Sequence, residues 1–218
     1  MNYWVSVVLS FSIIISVIIS CFKLKRISAR YYPFVLSVWF NLLGCIASLI
    51  AELGWRNNAV TSNVYFIVFC LLIVWQFKNW GLFGGRTSLF YALVAALIAV
   101  WAIENFMWGS LLKFNPIARI IISMVIVVLS IRLLSSELTM VVESFWKSSI
   151  RLILCTYVIL FTVKIITEFF WQYGVQLGDD FMINVYFLYG CINFLANLMY
   201  ALAMLWIPVT TRYSWLPR

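Results

Sequence analysis

Long apolar runs alternate along this chain with short stretches where charges, Gly and Pro collect. Seven runs stand out: Tyr3 to Phe22, Tyr31 to Ala51, Thr61 to Phe77, Ser88 to Met107, Pro116 to Leu134, Ile150 to Trp171 and Phe181 to Ile207. A helix rises about 1.5 Å per residue, so about 20 apolar residues cross about 30 Å of hydrocarbon. Each run, the third being short, is predicted to be a membrane-spanning helix. The fold class is therefore all-α: a polytopic membrane protein of seven transmembrane helices, one domain over residues 1–218.

The polar punctuation sets the orientation. Alternate connections collect Lys23, Lys25, Arg26, Arg30, Lys78, Arg86, Arg132, Lys147 and Arg151, joined by Arg212 and Arg218 of the tail, while the other side holds Arg56, Lys113 and Arg119. Lys and Arg accumulate in cytoplasmic loops, which places the N-terminus outside and the C-terminus in the cytoplasm, as in a bacterial inner membrane. Glu52, Glu104, Glu168, Asp179 and Asp180 fall toward the outside, and only Glu137 and Glu143 inside. Trp4, Trp55, Trp80, Trp108, Trp146, Trp171 and Tyr173 lie near span ends, where amphipathic rings anchor at the headgroups.

Composition narrows the function. Of 218 residues 65% are apolar and 10% charged, against roughly half and a quarter in soluble domains, and the mean hydropathy is +1.04. The spans leave no length for a soluble domain. The formal charge of +8 reads as topology signal, because nucleic-acid binding needs basic residues clustered on a folded soluble face. The chain has no His, which removes the commonest metal ligand and general base. Zinc enzymology and Ser-His-Asp chemistry are excluded, no cofactor is expected, and an enzyme is the least favoured class. Cys21, Cys45, Cys70, Cys155 and Cys191 sit in or beside apolar runs and read as packing residues, not a disulfide framework. The start lacks the basic region and cleavage site of a signal peptide, so the first run is expected to remain as a helix.

Two motifs recur in order. Glu52-Leu53-Gly54-Trp55 ends the second span and Glu168-Phe169-Phe170-Trp171 the sixth. Asn63-Val64-Tyr65-Phe66 precedes Cys70, and Asn184-Val185-Tyr186-Phe187 precedes Cys191 at the same spacing. The pattern predicts a parallel repeat of three helices (1–80 and 116–207) joined by a linker helix (88–107). This plan resembles the organisation of SWEET and PQ-loop transporters and of microbial rhodopsins. Their signatures are missing: the seventh span has no Schiff-base lysine, the PQ dipeptide is absent, and all four prolines lie at membrane edges. The outer Glu of the second span, followed by Asn-x-Tyr-Phe opening the third, is similar to a group of uncharacterised seven-helix bacterial membrane proteins, which implies no activity.

Ionisable groups inside spans are site candidates by default, since each costs at least about 2.5–3.5 kcal/mol at the bilayer centre. Counted from the cytoplasmic anchors, Glu52 lies about 30 Å up its helix, Glu104 about 27 Å, Glu168 about 25 Å and Lys164 about 20 Å. Lys164 and Glu168 are spaced i,i+4 and can pair. The group reads either as an ion network, with Arg119 as a further partner, or as an outward-facing pocket of Glu52, Glu104, Lys164 and Glu168. Such a pocket would take a cationic or zwitterionic ligand or exchange protons. Asn41, Asn193 and Asn197 are buried amides that bridge helices or extend the pocket. Gly44 and Gly190 read as close-packing points, and Ser12, Ser16 and Ser20 as a small-residue stripe for a neighbouring helix or a second protomer. Leu134, Leu138, Val141, Val142 and Phe145, with Glu143 and Lys147 on another face, predict an amphipathic stretch that continues the fifth helix, lies on the inner leaflet or docks a cytoplasmic partner.

A transporter would carry broken helices at the midplane, and no Gly or Pro pair marks one. The sequence is therefore read first as a small-molecule-binding sensor or receptor-like protein that takes a ligand from the outer side and signals through a cytoplasmic or membrane partner. A proton- or ion-coupled transporter comes second, and a helix-packing subunit of a membrane complex third.

Overall fold

The computed structural model describes residues 3–55, 57–140, 148–173 and 178–208. Helices account for nearly all of them, and no strand occurs among the described residues. In chain order they are α1 (Tyr3–Phe11), α2 (Ile14–Lys23), α3 (Tyr32–Trp55), α4 (Ala59–Asn79), α5 (Thr87–Ala102), α6 (Pro116–Met140), α7 (Ser149–Tyr173) and α8 (Asp179–Trp206). α1 and α2 together form the first span, so 7 candidate spans result.

The exterior is apolar, with Val8, Leu43, Leu53 and Val128 all more than half exposed, while Arg119, Glu168, Asn63, Gln76 and Asn197 are buried. That inversion is what a hydrocarbon solvent selects. α6 packs along α7, α7 along α8, and α3 along α4; α1 and α2 lie against α8 and α3, and α4 also touches α6. α5 packs from outside against α4 and α6.

The first span departs from the uninterrupted helix expected from the sequence. It breaks at Ser12 and Ile13. The Ser12 hydroxyl donates to its own helix at Leu9 O (2.6 Å), and the Ser12 N–H reaches the same carbonyl at 3.4 Å. A serine bonding back to the preceding turn competes with the helical ladder. Inside a membrane the break is tolerated because α8 satisfies it: Asn197 Nδ2 donates to Ser12 Oγ at 2.9 Å and to Ser10 O at 3.5 Å. Asn197 is thereby fixed to the break, and Ser16 Oγ donates to its carbonyl at 3.1 Å. Ser20 Oγ accepts from Trp39 Nε1 at 2.6 Å. Within the chain, the serine stripe binds α1 and α2 to α8 and α3.

The fourth span departs from a regular α-helix in another way. α5 passes into a π-helical turn, Ile103–Trp108, which aims Glu104 and Asn105 at the start of α6. α6 outruns its sequence estimate and carries Leu134 and Leu138 on to Met140. Val141, Val142, Glu143, Phe145 and Lys147 of the expected amphipathic stretch lie outside the described residues, as do Arg56, Trp146, Arg212 and Arg218. Trp80, expected at the headgroups, is a core residue, edge-on to Tyr31 at 6.0 Å and tilted on Phe77 at 6.5 Å.

At the end where the basic connections gather, the interior is filled with rings. Phe34 meets Tyr200 at 5.6 Å, Tyr157 meets Tyr200 at 5.9 Å, and Phe77 meets Tyr157 at 6.0 Å. Buried Gln76 ties this end together, accepting from Phe34 N at 2.7 Å and donating to Arg30 O at 2.6 Å. It satisfies backbone at the entry to α3 that would otherwise be orphaned. Lys23 does the converse for α8, donating to the carbonyls of Met204 and Leu205.

Candidate functional site

Toward the N-terminal end the helices part around a cavity of about 770 Å³, within the range of small-molecule sites. α1, α3, α4, α7 and α8 contribute to its wall, with Phe114 and Arg119 from the start of α6. α5 does not reach it.

One side of the wall is aromatic. Phe40, Tyr65, Phe69 and Phe161 form a stacked file with successive centroids 5.6, 5.6 and 6.3 Å apart. The Tyr65 hydroxyl donates to Asn41 Oδ1 at 2.9 Å. Glycine at 44 makes this file possible, because a Cβ there would overlap the Tyr65 ring. A Cβ on Gly190 would meet only Leu9, at an ordinary 3.5 Å, so the close packing expected of both glycines holds for Gly44 alone.

The other side carries the charge. Arg119 Nη1 meets Glu168 Oε1 at 3.2 Å, and Lys164 Nζ meets the same oxygen at 3.5 Å. Arg119 Nη2 donates to Ser62 Oγ at 2.7 Å and Asn63 Oδ1 at 3.2 Å, and its guanidinium lies 4.1 Å from the Phe114 ring centre. A fork bonded on two sides and stacked on a ring is fixed in position. Asn63 is fixed in turn: its amide donates to Leu111 O and Lys113 O, and its own carbonyl accepts from Trp101 Nε1. Asn184, the matching residue of the second motif, is exposed. The two Asn-Val-Tyr-Phe segments therefore share a residue facing the cavity, Tyr65 and Tyr186, but their asparagines do different work.

Three features of the cluster are unsaturated, the first being Arg119 Nε, buried with no hydrogen-bond partner among the described residues. Glu168 Oε2 is buried with no hydrogen-bond partner among the described residues. The Lys164 side chain keeps 17% of its surface open, and its only carboxylate contact among the described residues is Glu168 Oε1. It otherwise faces the rings of Phe66 at 5.1 Å and Tyr189 at 5.7 Å. Buried polar atoms are normally paired, so a free carboxylate oxygen beside a half-free ammonium leaves one acceptor and at least one donor for an occupant.

No protein-family model, curated protein or solved structure matches the chain. The reading of this site therefore rests on its own geometry.

Of the candidates from the sequence, Asn41, Glu52, Lys164, Glu168 and Asn193 all line the cavity. Glu104 does not. Its two oxygens accept from Ile117 N (2.8 Å) and Ala118 N (2.6 Å), capping the first turn of α6. A carboxylate suits the positive end of a helix dipole, and Pro116 opening that helix lacks an N–H to compete. Asn197 lies away from the cavity wall, at the break in the first span. Arg119, first considered as a partner in an ion network, is in the wall. Its position directly after Asn115-Pro116, a helix start, places its side chain one turn below the membrane end.

Proposed function

We propose that the protein is a membrane-embedded, small-molecule-binding receptor or sensor whose ligand enters the cavity from the outer side. The observation that carries this reading is the incompletely paired ion cluster of Glu168 and Lys164, both of which line a cavity of about 770 Å³. Buried neutral groups are left unmet elsewhere in the chain, but an unmet ionised group costs more than the ~1–3 kcal/mol of a neutral one, so an occupant gains most at this cluster. The bias of Lys and Arg toward the opposite end supports an orientation with the cavity outward and the C-terminus in the cytoplasm, as in a bacterial inner membrane. In this reading the ligand signal passes to a cytoplasmic or membrane partner.

A second reading, a coupled transporter, draws support from one observation: the first span is interrupted beside the cavity, with Ser10 and Phe11 in the wall. Interrupted helices at a midplane site are the usual pointer to alternating access. Against it, the opposite end is packed with the rings of Phe34, Phe77, Tyr157 and Tyr200.

Solid-supported-membrane currents from proteoliposomes separate the two. Under a pH gradient and a panel of amines and amino acids, a receptor binds without sustained current. A current that Glu168→Gln abolishes makes it a transporter. Thermal stabilisation by a ligand in the wild type, lost in folded Lys164→Ala, is the result expected of either binding reading; unchanged stabilisation sinks the site.

A further inference from the structure

We infer that the cavity is built for a zwitterion with an apolar tail, its anionic group on Lys164 and its ammonium on Glu168 Oε2. This deepens the binding reading above and rests on it. A set of Glu52, Glu104, Lys164 and Glu168 would carry an excess of negative charge and suit a cation. The folded chain changes that balance, since Glu104 is consumed as a helix cap and Arg119 joins the wall. Two cations, Arg119 and Lys164, then face two carboxylates, Glu52 and Glu168, and the ionised wall is neutral.

Charge in a low-dielectric site has to be compensated. A lone cation or anion would leave the filled cavity with one net charge, whereas a zwitterion leaves it neutral. The free valences also occur as a donor and acceptor side by side, since Lys164 and Glu168 are one turn apart on α7 and already 3.5 Å from each other. An ammonium and a carboxylate on adjacent atoms of one molecule match that spacing in alternation, each charge meeting its opposite. Arg119 is held through Nη1 and Nη2 by Glu168 Oε1, Ser62 and Asn63, with only Nε unmet, so Lys164 is the cation freer to turn. The tail faces the stacked file of Tyr65, Phe69 and Phe161, a surface for an aromatic or branched apolar group.

The same pair of charges is carried by a free amino acid or by the headgroup of an ethanolamine phospholipid. The test uses three molecules on one skeleton, L-phenylalanine, phenethylamine and 3-phenylpropionate. Their binding to the full-length protein in an uncharged detergent is measured by calorimetry and thermal shift. Native mass spectrometry after reconstitution in ethanolamine- or choline-phospholipid nanodiscs supplies the lipid arm. Phenylalanine is expected to bind more tightly than either single-charge analogue by about ten-fold or more, the scale of one charge-assisted hydrogen bond. Lys164→Arg should retain that preference and Lys164→Met lose it.

Retention of ethanolamine lipid alone, lost in Lys164→Met, supports the same chemistry from a lipid source. Preference for the amine or the acid overturns the zwitterion class while leaving a binding site. Silence of all three ligands together with no retained lipid overturns both. The ranking on the wild type needs no variant, so a misfolded Lys164→Met does not remove the test.

Discussion

The two ends of the bundle use the same helices and fill the space between them in opposite ways. At the basic end, the buried rings of Phe34, Phe77, Tyr157 and Tyr200 interlock between α3, α4, α7 and α8. At the N-terminal end the aromatic file of Tyr65, Phe69 and Phe161 and the ion cluster of Arg119, Lys164 and Glu168 both line a cavity. Polar groups are present at both ends, and each end has buried atoms without a partner among the described residues: Trp80 Nε1 and the Tyr157 and Tyr200 hydroxyls among the rings, Glu168 Oε2 and Arg119 Nε at the cavity. Gln76 uses its oxygen and its nitrogen on backbone, and Glu104 uses both oxygens on α6. Glu168 uses one. Charge divides the two ends: the unmet atoms among the rings are neutral, whereas Glu168 Oε2 and Arg119 Nε belong to ionised groups.

Substitutions can break that contrast, and the largest effect belongs to Glu168→Ala. It leaves Arg119 and Lys164 buried without a counter-charge, and a loss of about 3–5 kcal/mol is expected in reversible unfolding in mixed micelles. A loss below about 1 kcal/mol would mean that the cluster is open to water and screened. Next comes Gly44→Ala, where the new methyl must displace the Tyr65 ring. Overpacking of this kind costs about 1–3 kcal/mol, and Gly190→Ala, its control, should stay within about 0.5 kcal/mol. Equal melting points for the two would remove the argument that Gly44 shapes the cavity.

Glu104→Ala should cost up to about 2 kcal/mol through the lost cap and leave ligand binding within two-fold on the scale of about 0.4 kcal/mol. A selective loss of binding would return Glu104 to the site. The smallest stability effect is expected for Lys164→Met, about 0–1 kcal/mol, because Arg119 still neutralises Glu168. The accompanying loss of ligand affinity, read by calorimetry, is what sets Lys164 apart from the caps.

The spans were legible from the sequence because each is a long apolar run, and α3, α4, α7 and α8 end within a few residues of their sequence estimates. The break in the first span was not. Ser12 sits among residues that would continue a helix, and only the approach of Asn197 from the far end of the chain decides that its hydroxyl bends the ladder. Depth counting puts Glu52, Glu104 and Glu168 toward one end of the bundle, and Glu52 and Glu168 line the same cavity. Depth carries no information about which carboxylate turns inward and which turns onto a neighbouring helix start. The π-helical turn at Ile103–Trp108 makes that choice for Glu104. Arg119 was visible as a charge and as a partner, and its place in the wall follows from the helix that Pro116 opens. Gln76 gave no signal, since a single amide within an apolar run has the same appearance whether it caps a backbone or faces another helix.

The central claim is that one end of the bundle holds an accessible, ligand-sized cavity and the other is closed. Ser48 lines the cavity, and Ser37, 2% exposed, lies on the same helix at the ring-filled end. The direct measurement is labelling of Ser48→Cys and Ser37→Cys by a charged, membrane-impermeant thiol reagent in right-side-out vesicles, with the modified peptide read by mass spectrometry. The account predicts labelling at position 48, slowed by the occupying zwitterion, and none at position 37. Equal labelling of the two, or labelling of position 37 alone, would contradict it.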